Sequence, residues 1–134
     1  MSALTLAEAR TIIAAAEKRA GEIGHSANIA VVDAGGNLIA HARMDGAWMG
    51  SVNISINKAW TSRAFDISTK DLGDNSGPGQ QFYGIHASNG GKVMIFAGGI
   101  PLKRGSEVVG AIGVSGGGGD QDQTVAEAGA AALG

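Results

Sequence analysis

Ile100-Pro101-Leu102-Lys103-Arg104-Gly105-Ser106-Glu107-Val108-Val109-Gly110-Ala111-Ile112-Gly113-Val114-Ser115 holds two β-rich segments around a Gly-Ser turn, and four glycines, Gly116 to Gly119, follow it. A turn this tight joins neighbouring strands as a hairpin, and hairpins make antiparallel pairs. Glycines flanking and interrupting a short apolar strand point to backbone packed against backbone or against a ligand, because a larger side chain would block the approach. Just upstream, Gly98-Gly99 reads as another turn. Three strands are therefore expected here: Val93–Ala97, Ile100–Arg104 and Glu107–Val114. Pro101 belongs at a sheet edge or a bulge, since proline has no N–H to give a ladder.

Toward the N-terminus, Asn28-Ile29-Ala30-Val31-Val32-Asp33 and Asn37-Leu38-Ile39-Ala40-His41-Ala42-Arg43 flank Ala34-Gly35-Gly36, a second hairpin. Helices are expected around the hairpins. Thr5-Leu6-Ala7-Glu8 has capping-box spacing, and Leu6, Ala9, Ile12, Ile13, Ala16 and Ala20 recur at helical intervals up to a stop at Gly24. Ala47 to Asp66 reads as a second long helix, with Val52, Ile56, Ala59, Trp60 and Ala64 on one face. Residues 67–89 read as loop with short helical turns. A last helix runs through Leu133, capped by Asp120 or Asp122. Strands and helices do not alternate throughout, so the doubly wound alternative is rejected in favour of an antiparallel α+β sandwich.

The 134 residues suit a single domain over 1–134 with a sizeable core. That core must be aliphatic and closely packed, because the chain is 44% hydrophobic but only 4% aromatic and has 23 glycines. The net charge is −2 and no basic run exceeds Lys103-Arg104, which argues against nucleic acid. With no cysteine, disulfides, thiolate nucleophiles and Cys-ligated metals are excluded. No stretch of about 18 apolar residues and no leader-like N-terminus is visible, so no membrane association is expected. The reading is a soluble cytoplasmic protein, with export left open because a leader could have been removed. The glycine run is not a phosphate loop: it lacks the Gly-Lys-Ser/Thr ending, and Asp120 and Asp122 would repel an anion at the following helix.

Over essentially its whole length the chain resembles the GlcG/HbpS family of haem-binding-type proteins, which includes the C-terminal domain of PduO-type proteins. The resemblance rests on Ala30-Val31-Val32-Asp33-Ala34-Gly35-Gly36-Asn37-Leu38, Arg43-Met44-Asp45-Gly46-Ala47, Lys58-Ala59-Trp60-Thr61-Ser62-Arg63-Ala64-Phe65, Gly98-Gly99-Ile100-Pro101 and Gly110-Ala111-Ile112-Gly113-Val114-Ser115-Gly116 with Asp120 and Asp122. It implies a profilin-like fold with a five-stranded antiparallel sheet flanked by helices. It also implies a homo-oligomer, tetrameric or octameric, and association with haem, a corrinoid such as cobalamin, or iron, in some members beside glycolate or diol metabolism.

Given such a ligand, the three histidines are candidate axial ligands. His25 follows the first helix and has the alternative role of a cation at a helix C-terminus. His41 lies within a strand, where a structural role is the alternative. His86 sits in the irregular segment beside Tyr83. Arg43, Asp45, Lys58 and Thr61 form the other constellation: a fold-back from strand to helix would bring two cations to a carboxylate, against the alternative of an Arg–Asp pair pinning the corner. Gly98 and Gly99 are the facing wall. The leading functional reading is an oligomeric, non-catalytic accessory protein that binds haem, a corrinoid or a related small-molecule ligand. The alternative is a small enzyme acting on a carboxylate-bearing metabolite, with Arg43 and Lys58 as clamps and Asp45 as acid or base.

Overall fold

A computed structural model describes residues 2–133. The chain runs α1 (Leu6–Glu22), β1 (Asn28–Asp33), β2 (Leu38–Arg43), α2 (Ser51–Phe65), α3 (Thr69–Asp74), β3 (Gly99–Arg104), β4 (Glu107–Ser115) and α4 (Gly119–Ala131), with short 3₁₀ turns at Ile85–Ala87 and Asn89–Gly91. The sheet order is β2-β1-β4-β3, and every neighbouring pair is antiparallel. No helix among the described residues is long and apolar enough to cross a membrane.

Local chemistry sets the first helix. Thr5 and Glu8 close the capping box in both directions, and Ala9, Ile12, Ile13, Ala16 and Ala20 form the buried stripe. With α4, this stripe covers the sheet face that carries Ile29, Val31, Ile112 and Val114. The opposite face carries smaller residues, Ala30, Val32 and Ala111, and α2 lies on it through Ala59. Gly113 makes the close approach possible: a Cβ there would fall on the Ser55 carbonyl oxygen and 2.5 Å from the Ala59 nitrogen. The glycine inside β4 therefore marks backbone against backbone, as its position in an apolar strand implied.

The expected sheet has one strand too many. It has four strands, not five, because Val93–Ala97 does not join the ladder. This segment is tied to helices instead. The Met94 N–H donates to Thr61 Oγ1 at 3.0 Å, and the Ile95 carbonyl lies against Gly73, where a Cβ would overlap it. The apolar pentapeptide has the composition of a strand, but it bends at Phe96-Ala97, bonds to a side chain of α2 and packs against α3. β3 is consequently an edge, which suits Pro101; the register shift in that pair falls at Leu102/Lys103.

The second helix begins at Ser51 rather than Ala47. Asn28 Nδ2 donates to the Trp48 carbonyl and Arg43 Nη1 to the Ala47 carbonyl, so the preceding residues are held as a turn. Nor do Asp120 or Asp122 cap α4. Its N-cap is Gly118, with no side-chain hydrogen bond, and Asp122 turns inward.

Candidate functional site

Lys58 is the one charged residue between Ser51 and Ala59 on α2, and it points into the protein with 2% of its surface exposed. A buried ammonium needs acceptors and a counterion. Its Nζ donates to the Val114 carbonyl at 2.8 Å and to Asp122 Oδ2 at 3.1 Å. The other carboxylate oxygen, Asp122 Oδ1, accepts from His25 Nε2 at 2.7 Å. Residues from α2, the α1–β1 connection and the first turn of α4 thus form one buried chain, Lys58–Asp122–His25. Burial pushes the Lys58 ammonium below its ordinary pKa, and the Asp122 carboxylate pulls it partly back.

The glycines are the spaces this chain occupies. Gly98 has φ +126°, and a Cβ there would lie 3.0 Å from Lys58 Nζ and 3.1 Å from Asp122 Cβ. At Gly116 a Cβ would sit 2.9 Å from His25 Nε2. No side chain fits at either point without displacing the ion pair.

Over this cluster opens a cavity of about 460 Å³. Lys58, Asp122, Ser51 and Ser115 line its polar part, and Trp48, Ile54, Phe96 and Ala97 its apolar part. Trp48 is 65% exposed and Phe96 58%. On the other side of Phe96 lies a smaller cavity of about 210 Å³, lined by Val93, Met94, Ile95 and His86. Both volumes are those of the described chain alone.

Of the residues singled out in the sequence, the structure brings Lys58, Gly98 and His25 together. Gly99 stands beside them, its N–H donating to Thr69 Oγ1 at 2.8 Å, and a Cβ there would lie 2.6 Å from the Lys58 carbonyl oxygen. Thr61 serves the Lys92–Met94 segment instead. Arg43 and Asp45 lie elsewhere, in a depression of about 330 Å³ with Glu17 and Met44. Among the described residues they form no ion pair with each other, and neither lines the cavity above Lys58. The fold-back that sequence spacing suggested brings the strand end to the helix turn, not to Lys58.

The histidines separate in the same way. His25 is 7% exposed and its Nε2 is taken by Asp122. His41 Nε2 is buried without a hydrogen-bond partner among the described residues, and desolvation lowers its pKa, which favours the neutral ring. His86 is exposed, stands edge-on to Tyr83 at 6.2 Å between ring centroids, and lines the smaller cavity. Asp122, expected from the sequence as a helix cap, is the member of this cluster that sequence reasoning did not assign to the site. The sequence carried half of the signal: Lys58 is a lone charge among uncharged neighbours in its turn, and its burial makes a carboxylate from elsewhere necessary.

The family model described as "Haem degrading protein HbpS-like" matches residues 4–131. An uncharacterized 15.0 kDa protein from the dhaT-dhaS intergenic region of Citrobacter freundii is 39% identical over 127 residues, 95% of this chain and 89% of that one. The corrinoid adenosyltransferase PduO of the same organism is 35% identical over 130 residues; the match takes in 97% of this chain but only 39% of PduO. Among solved structures, a PduOC:haem complex superposes with a TM-score of 0.93 at 33% identity, covering 98% of this chain and 96% of that one.

Proposed function

The chain belongs to the HbpS-like family, and on that premise we propose that it is an accessory protein that binds a tetrapyrrole, haem or a corrinoid, across the exposed ridge of Phe96. The observation that carries this reading is the cavity of about 460 Å³ in which an exposed apolar rim, Trp48, Ile54 and Phe96, stands over buried polar groups. Ligand pockets pair apolar walls with a few placed polar groups in this way, at volumes of roughly 300–1,000 Å³. The neighbouring wall of Met94, Ile95 and His86 extends the same apolar surface. The haem bound by the PduOC relative supports the same ligand class.

The residues present fit such a group. Trp48 and Phe96 offer flat apolar faces, and His86 offers an exposed imidazole, edge-on to Tyr83, whose ring nitrogens have no hydrogen-bond partner among the described residues. His25 is the weaker axial candidate, since its Nε2 already serves Asp122. When bound, the macrocycle would supply a metal centre whose reactivity is set by its axial ligand. The protein's part is to hold the ring, to keep water from its apolar face, and to offer His86. Assembly into a homo-oligomer belongs to the same proposal: Trp48, Met49, Tyr83 and Phe96 are all more than half exposed, and large apolar side chains clustered at a surface mark contact sites.

Titration with haem, and separately with cobalamin, tests this reading. A saturable Soret shift that His86→Ala alters and His25→Ala leaves in place is expected. Absence of any spectral change with both ligands would overturn it.

A further inference from the structure

Ser51 and Ser115 are 3% and 5% exposed, and both line the cavity above Lys58. Neither hydroxyl has a hydrogen-bond partner among the described residues. Each hydroxyl opens onto the cavity instead of onto another protein group, so the two offer hydrogen bonds to a polar occupant there. Beside them begins α4, a helix of 13 residues whose Gly119 also lines the cavity. Its N-cap is glycine and gives no side-chain oxygen, and the first intrahelical bond is that of the Asp122 N–H to the Gly118 carbonyl. The N–H groups of Gly119, Asp120 and Gln121 therefore have no acceptor among the described residues and stand at the positive end of the helix dipole. Lys58 adds a further donor: an ammonium has three N–H bonds, and among the described residues two are taken, by Val114 and Asp122.

We infer that this end of the cavity is a carboxylate seat, held by Ser115, Ser51, the Gly119 N–H at the start of α4 and the third N–H of Lys58. The two aspartates do not forbid it. Both oxygens of Asp122 are engaged, one by Lys58 and one by His25, and Asp120 is exposed and does not line the cavity. The charge balance selects the class of anion. Asp122 already offsets Lys58, so a single negative charge can be met by hydroxyls and helix N–H groups, whereas a dianionic phosphate would lack a cation. Trp48, Ile54 and Phe96 above the seat favour an apolar body on the acid. The seat rests on the reading of this cavity as the ligand site. A carboxylate can come from two sources, a free short-chain acid or the propionate arm of a tetrapyrrole.

The test is a ¹H–¹⁵N NMR titration of the full chain with propionate, with inorganic phosphate and with neutral propionamide. Propionate is expected to shift the Gly119–Gln121 amides saturably, and propionamide and phosphate are not. Ser115→Ala, a substitution small enough to leave the fold intact, should weaken propionate about tenfold, the loss of one hydrogen bond to a charged group. No saturable shift, an equal response to propionamide or phosphate, or an unchanged affinity in Ser115→Ala would overturn the seat. A second arm identifies the source by comparing haem with its dimethyl ester. If the ester binds at least tenfold more weakly and haem displaces propionate, the tetrapyrrole's arm occupies the seat. If haem and ester bind alike while propionate still binds, the ligand is a free acid. Should haem fail to bind at all, the tetrapyrrole reading falls and the propionate result stands by itself.

Discussion

Replacing Asp122 by Asn keeps the shape of the side chain and leaves Lys58 charged without a counterion. Lys58 and Asp122 are both 2% exposed and 3.1 Å apart. At an effective dielectric constant of about 20, that separation corresponds to an attraction of about 5 kcal/mol. The variant has an escape, because Lys58 can shed its proton. Full deprotonation at pH 7 from an ordinary value of 10.5 costs about 5 kcal/mol at 1.36 kcal/mol per pH unit. The two limits agree, and they match the loss of about 3–5 kcal/mol found when one partner of a buried pair is removed. For a chain of this size the corresponding fall in Tm is on the order of 10–20 °C. Urea unfolding followed by circular dichroism at pH 7 and pH 9.5 would measure it. In Asp122→Asn the folded-state pKa of Lys58 drops further below that of the unfolded chain, so between the two values the unfolded state binds more protons and stability rises with pH. The deficit relative to wild type should therefore shrink at pH 9.5. Lys58→Met combined with Asp122→Asn should recover most of the loss, because the isolated charge is gone. A deficit below about 1 kcal/mol, or one that does not change with pH, would refute the reasoning.

Gly113→Ala should destabilise by about 3 kcal/mol, the upper end for overpacking, because the new methyl meets the Ser55 and Ala59 backbone rather than a movable side chain; thermal unfolding measures it, and a Tm within 2 °C of wild type would contradict the packing of β4 on α2. Glu8 is held down to about 2 from 4.5 by Arg104, 2.6 Å away, and by the Thr5 N–H. A depressed carboxylate contributes stability above its unfolded value and loses it as pH falls through the folded one, so the advantage of wild type over Glu8→Gln should fade between pH 4.5 and about 2; parallel acid titrations of the two proteins would read it. Thr61→Val removes the acceptor for the Met94 N–H, and faster amide exchange confined to residues 93–96, with α2 protection retained, is the expected pattern.

The elements whose signals are local were legible in the chain. The capping box of Thr5 and Glu8, the three- and four-residue spacing of α1 and the alternation around Ala34-Gly35-Gly36 each depend on residues close in sequence, and each led to the observed element. Gly113 and Gly116 were also readable as points of close approach, because glycines inside and beside a short apolar strand point to backbone packed closely there. What met them was not. Val93–Ala97 has strand composition, yet Thr61 claims its backbone from 33 residues away. Arg43, Asp45 and Lys58 lie near one another in sequence but line different cavities.

The sequence by itself determined a helix-flanked antiparallel sheet with glycines at its tightest contacts, and it singled out Lys58, Gly98 and His25. Only the tertiary structure decided that Asp122 joins Lys58 to His25, across separations of 64 and 97 residues. The physical reason is that a buried charge selects its partner by distance in space, and no periodicity along a chain encodes which carboxylate the fold will carry to it.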